Sequence, residues 1–272
     1  MIRTRFATRT AAAASLAALL ICTGCGASGG TGSTRAIPAG TTEPDQFLYE
    51  RGTEALNRKR WSVAREFFKQ LNEAYTQSTL RPDAKLGIGD TYLGEGNAES
   101  LVMAIAEFQE FLAFYPLNPK ADYAQYKLGM AHFKQMLAPQ RDQTETRESV
   151  REFETFVARY PQSPLLPEVK AKLREAKDRL SEADFLVGRF YYRQPWYPGA
   201  IDRLAMILKQ DPEYTNRDAV YFYLGESLMK ISRDAEALPY FERLIAEFEK
   251  SEYLEDARKR VAALKAKMDG PA

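Results

Sequence analysis

The sequence predicts an all-α fold: five similar helix-turn-helix units stacked into a superhelix and closed by a C-terminal capping helix. Three observations predict it. One frame of small and apolar residues recurs five times between Gly52 and Glu249. Proline closes three of the frames, at Pro116, Pro161 and Pro212. The final segment, SEYLEDARKRVAALKAKM, carries Leu254, Ala257, Val261 and Leu264 at helical spacing.

The amino terminus is a targeting segment. Arg3, Arg5 and Arg9 precede the apolar run AAAASLAALLI, with no acidic residue among them. A basic start followed by an apolar stretch too short to span a bilayer reads as a secretory signal peptide, residues 1–24. The only two cysteines follow in LLICTGCG, as Cys22 and Cys25. A redox C-x-x-C pair needs a strand before it and a helix after it to lower one thiol pKa, and neither is present. A zinc site needs two more ligands, and the chain adds only His132, so no metal is expected. Small residues Thr23 and Gly24 before Cys25 resemble the bacterial lipobox, in which cleavage precedes a lipid-modified cysteine. Cys22 stands where Leu is usual. Cys25 is therefore the expected lipidation site, the other reading being ordinary cleavage nearby that leaves a free thiol. Gly26 in place of Asp, by resemblance to other lipoproteins, implies outer-membrane delivery.

Loss of residues 1–24 leaves 35 basic against 37 acidic residues. Such a balance has no electrostatic footprint for nucleic acid, and the membrane is expected to be reached through the N-terminal lipid. Removing Cys22 leaves no internal disulfide. Residues 25–44 are mostly Gly, Ser, Thr, Ala and Pro, poor in large apolar groups. They read as a flexible tether with a reach of roughly 25 Å.

The body is organised by the frame. Gly52 is followed 3, 12, 16, 19 and 24 residues later by Ala55, Ala64, Phe68, Leu71 and Thr76. Gly188 and Gly225 repeat this spacing. Gly89 and Gly129 repeat it once loops around GEGNAES and QMLAPQRDQTET are lengthened. The frame is that of the tetratricopeptide repeat. Gly and the small Ala or Ser mark the close approach of helices A and B of one unit. The aromatic four residues later is expected to fill the space between units, and proline stops helix B. A single unit cannot bury its apolar face, so the stack shares one core. In the last helix, Glu255 with Lys259 and Asp256 with Arg260 are expected to pair.

Other features reduce to structure. LGIGDTYLGEG has G-x-G but no strand before it, so no nucleotide site is expected. His132 occupies a packing position, and RKRW at 58–61 falls in a turn. One histidine cannot complete a Ser-His-Asp set, and the helices carry too many carboxylate pairs to single one out. The expectation is a non-catalytic binding platform without cofactor; the rival from another class is an envelope-tethered enzyme, which would need a constellation that only folding assembles.

Particular stretches go further. DYAQYKLGMAHF, then an inserted loop and RDQTETRESVREFETFVARYPQSP, is similar to the third repeat of the BamD family of outer-membrane assembly lipoproteins. LREAKDRLSEADFLVGRFYYRQPWYPGAIDRLAMILKQDP resembles its fourth. The resemblance covers residue 45 to about 265. It implies recognition of unfolded outer-membrane β-barrel proteins and docking to the POTRA domains of BamA within the Bam complex. Units one to three, residues 45–163, would carry the peptide groove; units four and five with the cap, 164–267, would dock BamA. On the inner face of the A helices, groove candidates are Tyr49, Asn57, Asp90, Tyr123, Tyr126, Met130 and Phe133; their alternative role is packing against the next repeat. The family's basic interface residue in the fourth repeat corresponds to Arg203, whose alternative is an intramolecular bridge. A second binding-class reading is a periplasmic coordinator resembling CpoB (YbgF), which shares the YP-x-S stops but begins with a coiled coil, and no heptads precede Asp45 here.

Overall fold

Two helices can cross closely only where one of them lacks a side chain, and the frame places such a gap in every unit. The computed structural model describes residues 37–269; the signal peptide, Cys22, Cys25 and the tether up to residue 36 lie outside the described residues. Within them run eleven helices. The A helices are α1 (Pro44–Asn57), α3 (Arg81–Glu95), α5 (Ala121–Phe133), α7 (Leu166–Arg193) and α9 (Arg217–Lys230). The B helices are α2 (Trp61–Ala74), α4 (Ala98–Phe114), α6 (Thr144–Arg159), α8 (Tyr197–Gln210) and α10 (Asp234–Glu247), and α11 (Leu254–Asp269) closes the array. Each helix packs on its neighbours in sequence. Ile37, within the tether as read from sequence, packs against the first unit's apolar cluster. No helix among the described residues is long and apolar enough to cross a membrane.

A Cβ added to Gly52 would stand 2.5 Å from the Phe68 ring, on Gly89 2.7 Å from Phe108, on Gly129 2.5 Å from Phe153 and on Gly225 2.6 Å from Phe241. In unit four Leu204 takes the place of the ring, 2.8 Å from the same point over Gly188. The ring therefore seats on its own unit's glycine, and Phe68, Phe108 and Phe241 also share core clusters with apolar residues of the following helix. Gly87 of the next A helix offers Phe68 a second bare site at 2.5 Å. Ala64, Ala104, Ser149, Ala200 and Ala237 complete the contact and are fully buried.

Each unit then turns and is locked. Lys59, Gly96 and Ser232, seven residues after their glycines, have φ of 56°, 71° and 62°. The Arg60 and Arg233 N–H groups donate to Ala55 and Leu228 carbonyls at 2.9 Å, closing helix A in a Schellman turn. Between units a polar clasp recurs. Ser78, Ser163 and Ser251 donate at 2.6 Å to Asp45, Asp122 and Asp218 in the first turn of the preceding A helices. Each serine oxygen also accepts the N–H two residues on, which helps start the next helix.

α7 departs from the pattern. The spacing from Pro161 would put the next glycine at position 174, occupied by Arg174; it stands at 188. The added 14 residues are about 3.9 turns, so the same face returns. Val169 in the first half packs on the cluster of unit three, and Phe185 in the second half on that of units four and five.

The capping helix corrects both expected pairings, Glu255 with Lys259 and Asp256 with Arg260. Lys259 pairs with Asp256 at 3.0 Å and Arg258 with Glu255 at 2.8 Å, while Arg260 turns inward to Glu226 of α9 at 2.5 Å. Glu226 is only 5% exposed, so a countercharge gains more there than beside the solvated Asp256.

Ala200→Leu or Ala237→Leu should overpack these crossings and cost on the order of 1–3 kcal/mol in chemical denaturation. Exposed Lys209→Ala should stay within about 0.5 kcal/mol. Lys59→Gly should raise stability by up to about 1 kcal/mol, because it removes a left-handed non-glycine residue.

Candidate functional site: a pocket on the inner helices

A helices line one side of the stack: α1 meets α3, and α3 meets α5. Between these three lies a pocket of about 260 Å³, walled by Tyr49, Leu56, Phe68 and Leu86, with Asp83, Asp90, Lys120 and Tyr123 around it. Three groove candidates, Tyr49, Asp90 and Tyr123, therefore converge.

Asp90 is the chemical centre of the pocket. The Tyr123 hydroxyl donates to its Oδ2 at 2.8 Å. Lys127 Nζ lies 3.7 Å from Oδ1, which makes no hydrogen bond. Burial pushes the Asp90 carboxyl above its ordinary pKa, and Lys127 and Tyr123 oppose that only in part. Burial, then the Asp90 charge, likewise raises the Tyr123 hydroxyl. At the rim Lys120 pairs with Asp83 at 2.9 Å.

The other candidates go elsewhere. Tyr126 is buried and donates to Glu168 of α7 at 2.5 Å. Phe133 lies beside Phe153, ring centroids 6.2 Å apart, with Lys172 Nζ 4.6 Å from its centroid. Met130 packs between the clusters of units two and three. The first half of α7 covers this part of α5, which sequence periodicity could not reveal. Asn57 is exposed at the end of α1, away from the pocket lining. His132 is buried, its Nδ1 2.7 Å from Glu145. Arg203 Nη1 meets Asp184 of α7 at 3.3 Å, with both side chains about 40% exposed. No cluster of three or more metal-ligating side chains occurs among the described residues.

The sequence reading missed one relation. Asp90 and Glu226 both follow their frame glycine, and each is paired with a cation two helices on, Lys127 of α5 and Arg260 of the capping helix α11. In the C-terminal half the pair is tight: Arg260 reaches both Glu226 oxygens, at 2.5 and 3.3 Å. Tyr192 adds a hydroxyl at 3.4 Å, its own pKa pushed up to about 12 by burial and the nearby carboxylate. The signal was present as an acid one residue after a frame glycine.

A family model described as outer membrane lipoprotein, YfiO, matches residues 41–228. The chain belongs to the YfiO family. A tetratricopeptide-repeat model matches residues 219–251. Relatives of this YfiO chain carry the name outer membrane protein assembly factor BamD. It is 27% identical to that of Caulobacter vibrioides over 71% of this chain, spanning 63% of the relative's length. Identity is 25% to that of Rickettsia prowazekii, over 72% of this chain and 77% of that one. For the Vibrio cholerae protein it is 24%, over 62% and 73%. Among solved structures, the TPR2AB-domain–pHSP90 complex of yeast Sti1 aligns at 14% identity and TM-score 0.44, over 82% of this chain and 84% of that one.

Asp90's raised pKa fixes a sign. A carboxyl raised in the folded state adds stability below its unfolded value, 3.8, and that contribution is lost as pH rises through the folded value. Asp90→Asn should therefore raise the melting temperature at pH 7, and the gain should vanish below about pH 3.8.

Proposed function

We propose that this chain is a non-catalytic scaffold of outer-membrane β-barrel assembly, held by a lipid on Cys25 to the periplasmic face of the outer membrane. In this reading units one to three, residues 45–163, take extended segments of unfolded β-barrel proteins on their inner face. Units four and five with the cap, residues 164–267, dock the POTRA domains of BamA. The observation that carries it is the pocket where Tyr49, Asp90 and Tyr123 of three successive inner helices meet. A mostly apolar cleft with a few convergent polar groups is the form a side-chain-binding site takes. Membership of an outer membrane lipoprotein family, and relatives named for assembly of that membrane's proteins, support outer-membrane proteins as the cargo.

The anchor is tested by Cys25→Ser. The variant should leave the membrane fraction with its helical circular dichroism unchanged; retention in cells lacking BamA would remove the lipid from the proposal.

Docking is tested by copurification of BamA from solubilised membranes. Arg203 would release Asp184 and offer its guanidinium to a BamA carboxylate, a bidentate geometry that lysine does not reproduce. Arg203→Ala should weaken BamA recovery several-fold at an unchanged melting temperature, with Arg203→Lys restoring it only in part. A lowered melting temperature with full recovery would make Arg203 a fold residue.

A further inference from the structure

One outer helix is unlike the other four. Each B helix turns one face to solvent, and in four of them that face carries charge. At the places two before and two, five and nine after the frame's small residue, α2 has Glu66 and Lys69, α6 has Arg151 and Glu154, α8 has Asp202 and Lys209, and α10 has Glu242. In α4 the same four places hold Val102, Ala106, Gln109 and Ala113, all exposed and none charged. Met103 and Phe114 adjoin them, and Val102 and Phe114 are 58% and 69% exposed. The core does not use these side chains. It takes Phe108 and Phe111 from α4, with Ile105 and Leu112 packed beside them.

The four uncharged places are separated by four, three and four residues, the spacing of a seam that a second helix can follow. Alanine at 106 and 113 lets a partner's axis come close, where larger side chains would hold it off. The charge around the seam has one sign. α4 contains Glu99, Glu107 and Glu110 and no lysine or arginine. Lys85 of α3 reaches Glu107 at 2.7 Å and also Glu110, so one ammonium serves two carboxylates, while Glu99 is exposed. A second copy of α4 would set like charges against these, and an anionic bilayer would do the same; a helix with lysine or arginine flanks would neutralise them. An extended strand finds no open backbone edge here, because a helix pairs its own. We propose that the outer face of α4 docks one amphipathic helix of a partner protein, a helix with a seam of small and aliphatic residues and basic flanks. None of the seam residues lines the inner pocket, so both faces can be occupied at once.

The test uses the full mature chain carrying Cys25→Ser, in detergent-free buffer, and two fluorescein-labelled four-heptad helical peptides. Both have leucine and alanine along the seam; one has lysine on its flanks and the other glutamate. Fluorescence anisotropy at low salt reads each Kd. The lysine peptide should bind about tenfold more tightly than the glutamate peptide. Ala106→Asp should weaken lysine-peptide binding about tenfold although it adds a negative charge, because its carboxylate would be buried in the seam. Glu99→Lys combined with Glu110→Lys should bring the two peptides to equal affinity or reverse their order, with circular dichroism melts verifying that the variants fold. No binding of the lysine peptide, or equal binding of the two, would overturn the proposal. So would binding that is unchanged or raised in Ala106→Asp, since that is charge attraction without a seam. Self-association in sedimentation, or attachment to vesicles of phosphatidylethanolamine and phosphatidylglycerol, would overturn the basic helix as occupant if Ala106→Asp abolished it, and would give the face to a second copy or to lipid.

Discussion

The fold depends on a missing atom. At Gly52, Gly89, Gly129 and Gly225 a phenylalanine ring occupies the space a Cβ would need. This contact sets the distance between helices A and B, and with it the depth at which the apolar residues of each unit meet those of the next. On the facing helices Ala64 and Ala237, one turn before the rings, are small for the same reason. Where a ring is absent, over Gly188, a leucine fills the seat and the crossing survives. The frame is thus a statement about volume, and chemistry is free to vary on the faces it leaves open.

That is why so much of the array was legible. Glycine, small residue and aromatic at fixed spacing are each forced by sterics, and sterics act within about 25 residues of chain. The Asp45–Ser78 clasp and its two equivalents were not recognised, because both members are ordinary polar residues and only a known register aligns them. The groove was half legible. Periodicity identifies the inner face of a helix but not which part of that face a later helix covers. Tyr123 stays at the pocket, while Tyr126, one turn along, is taken by Glu168 of a helix that starts 40 residues later.

The comparison of Asp90 with Glu226 separates stability from use. Both carboxylates sit on inner helices at one repeat position, yet one is neutralised by a guanidinium reaching across from the cap and the other is held by an ammonium at a distance. A protein selected for stability alone would treat the two alike. An open arrangement on the side where three A helices form a pocket is the kind of local concession expected where a surface must accept something.

The lengthened α7 has a mechanical meaning. Fourteen extra residues are a displacement of about 21 Å along the axis and a rotation about 40° short of four full turns. Units three and four are therefore joined by one continuous helix with no proline or turn between Val169 and Phe185. A flexible joint at that place would absorb a pull exerted on one end. A continuous helix offers no such joint, so a load on the carboxy-terminal units reaches unit three along α7 itself.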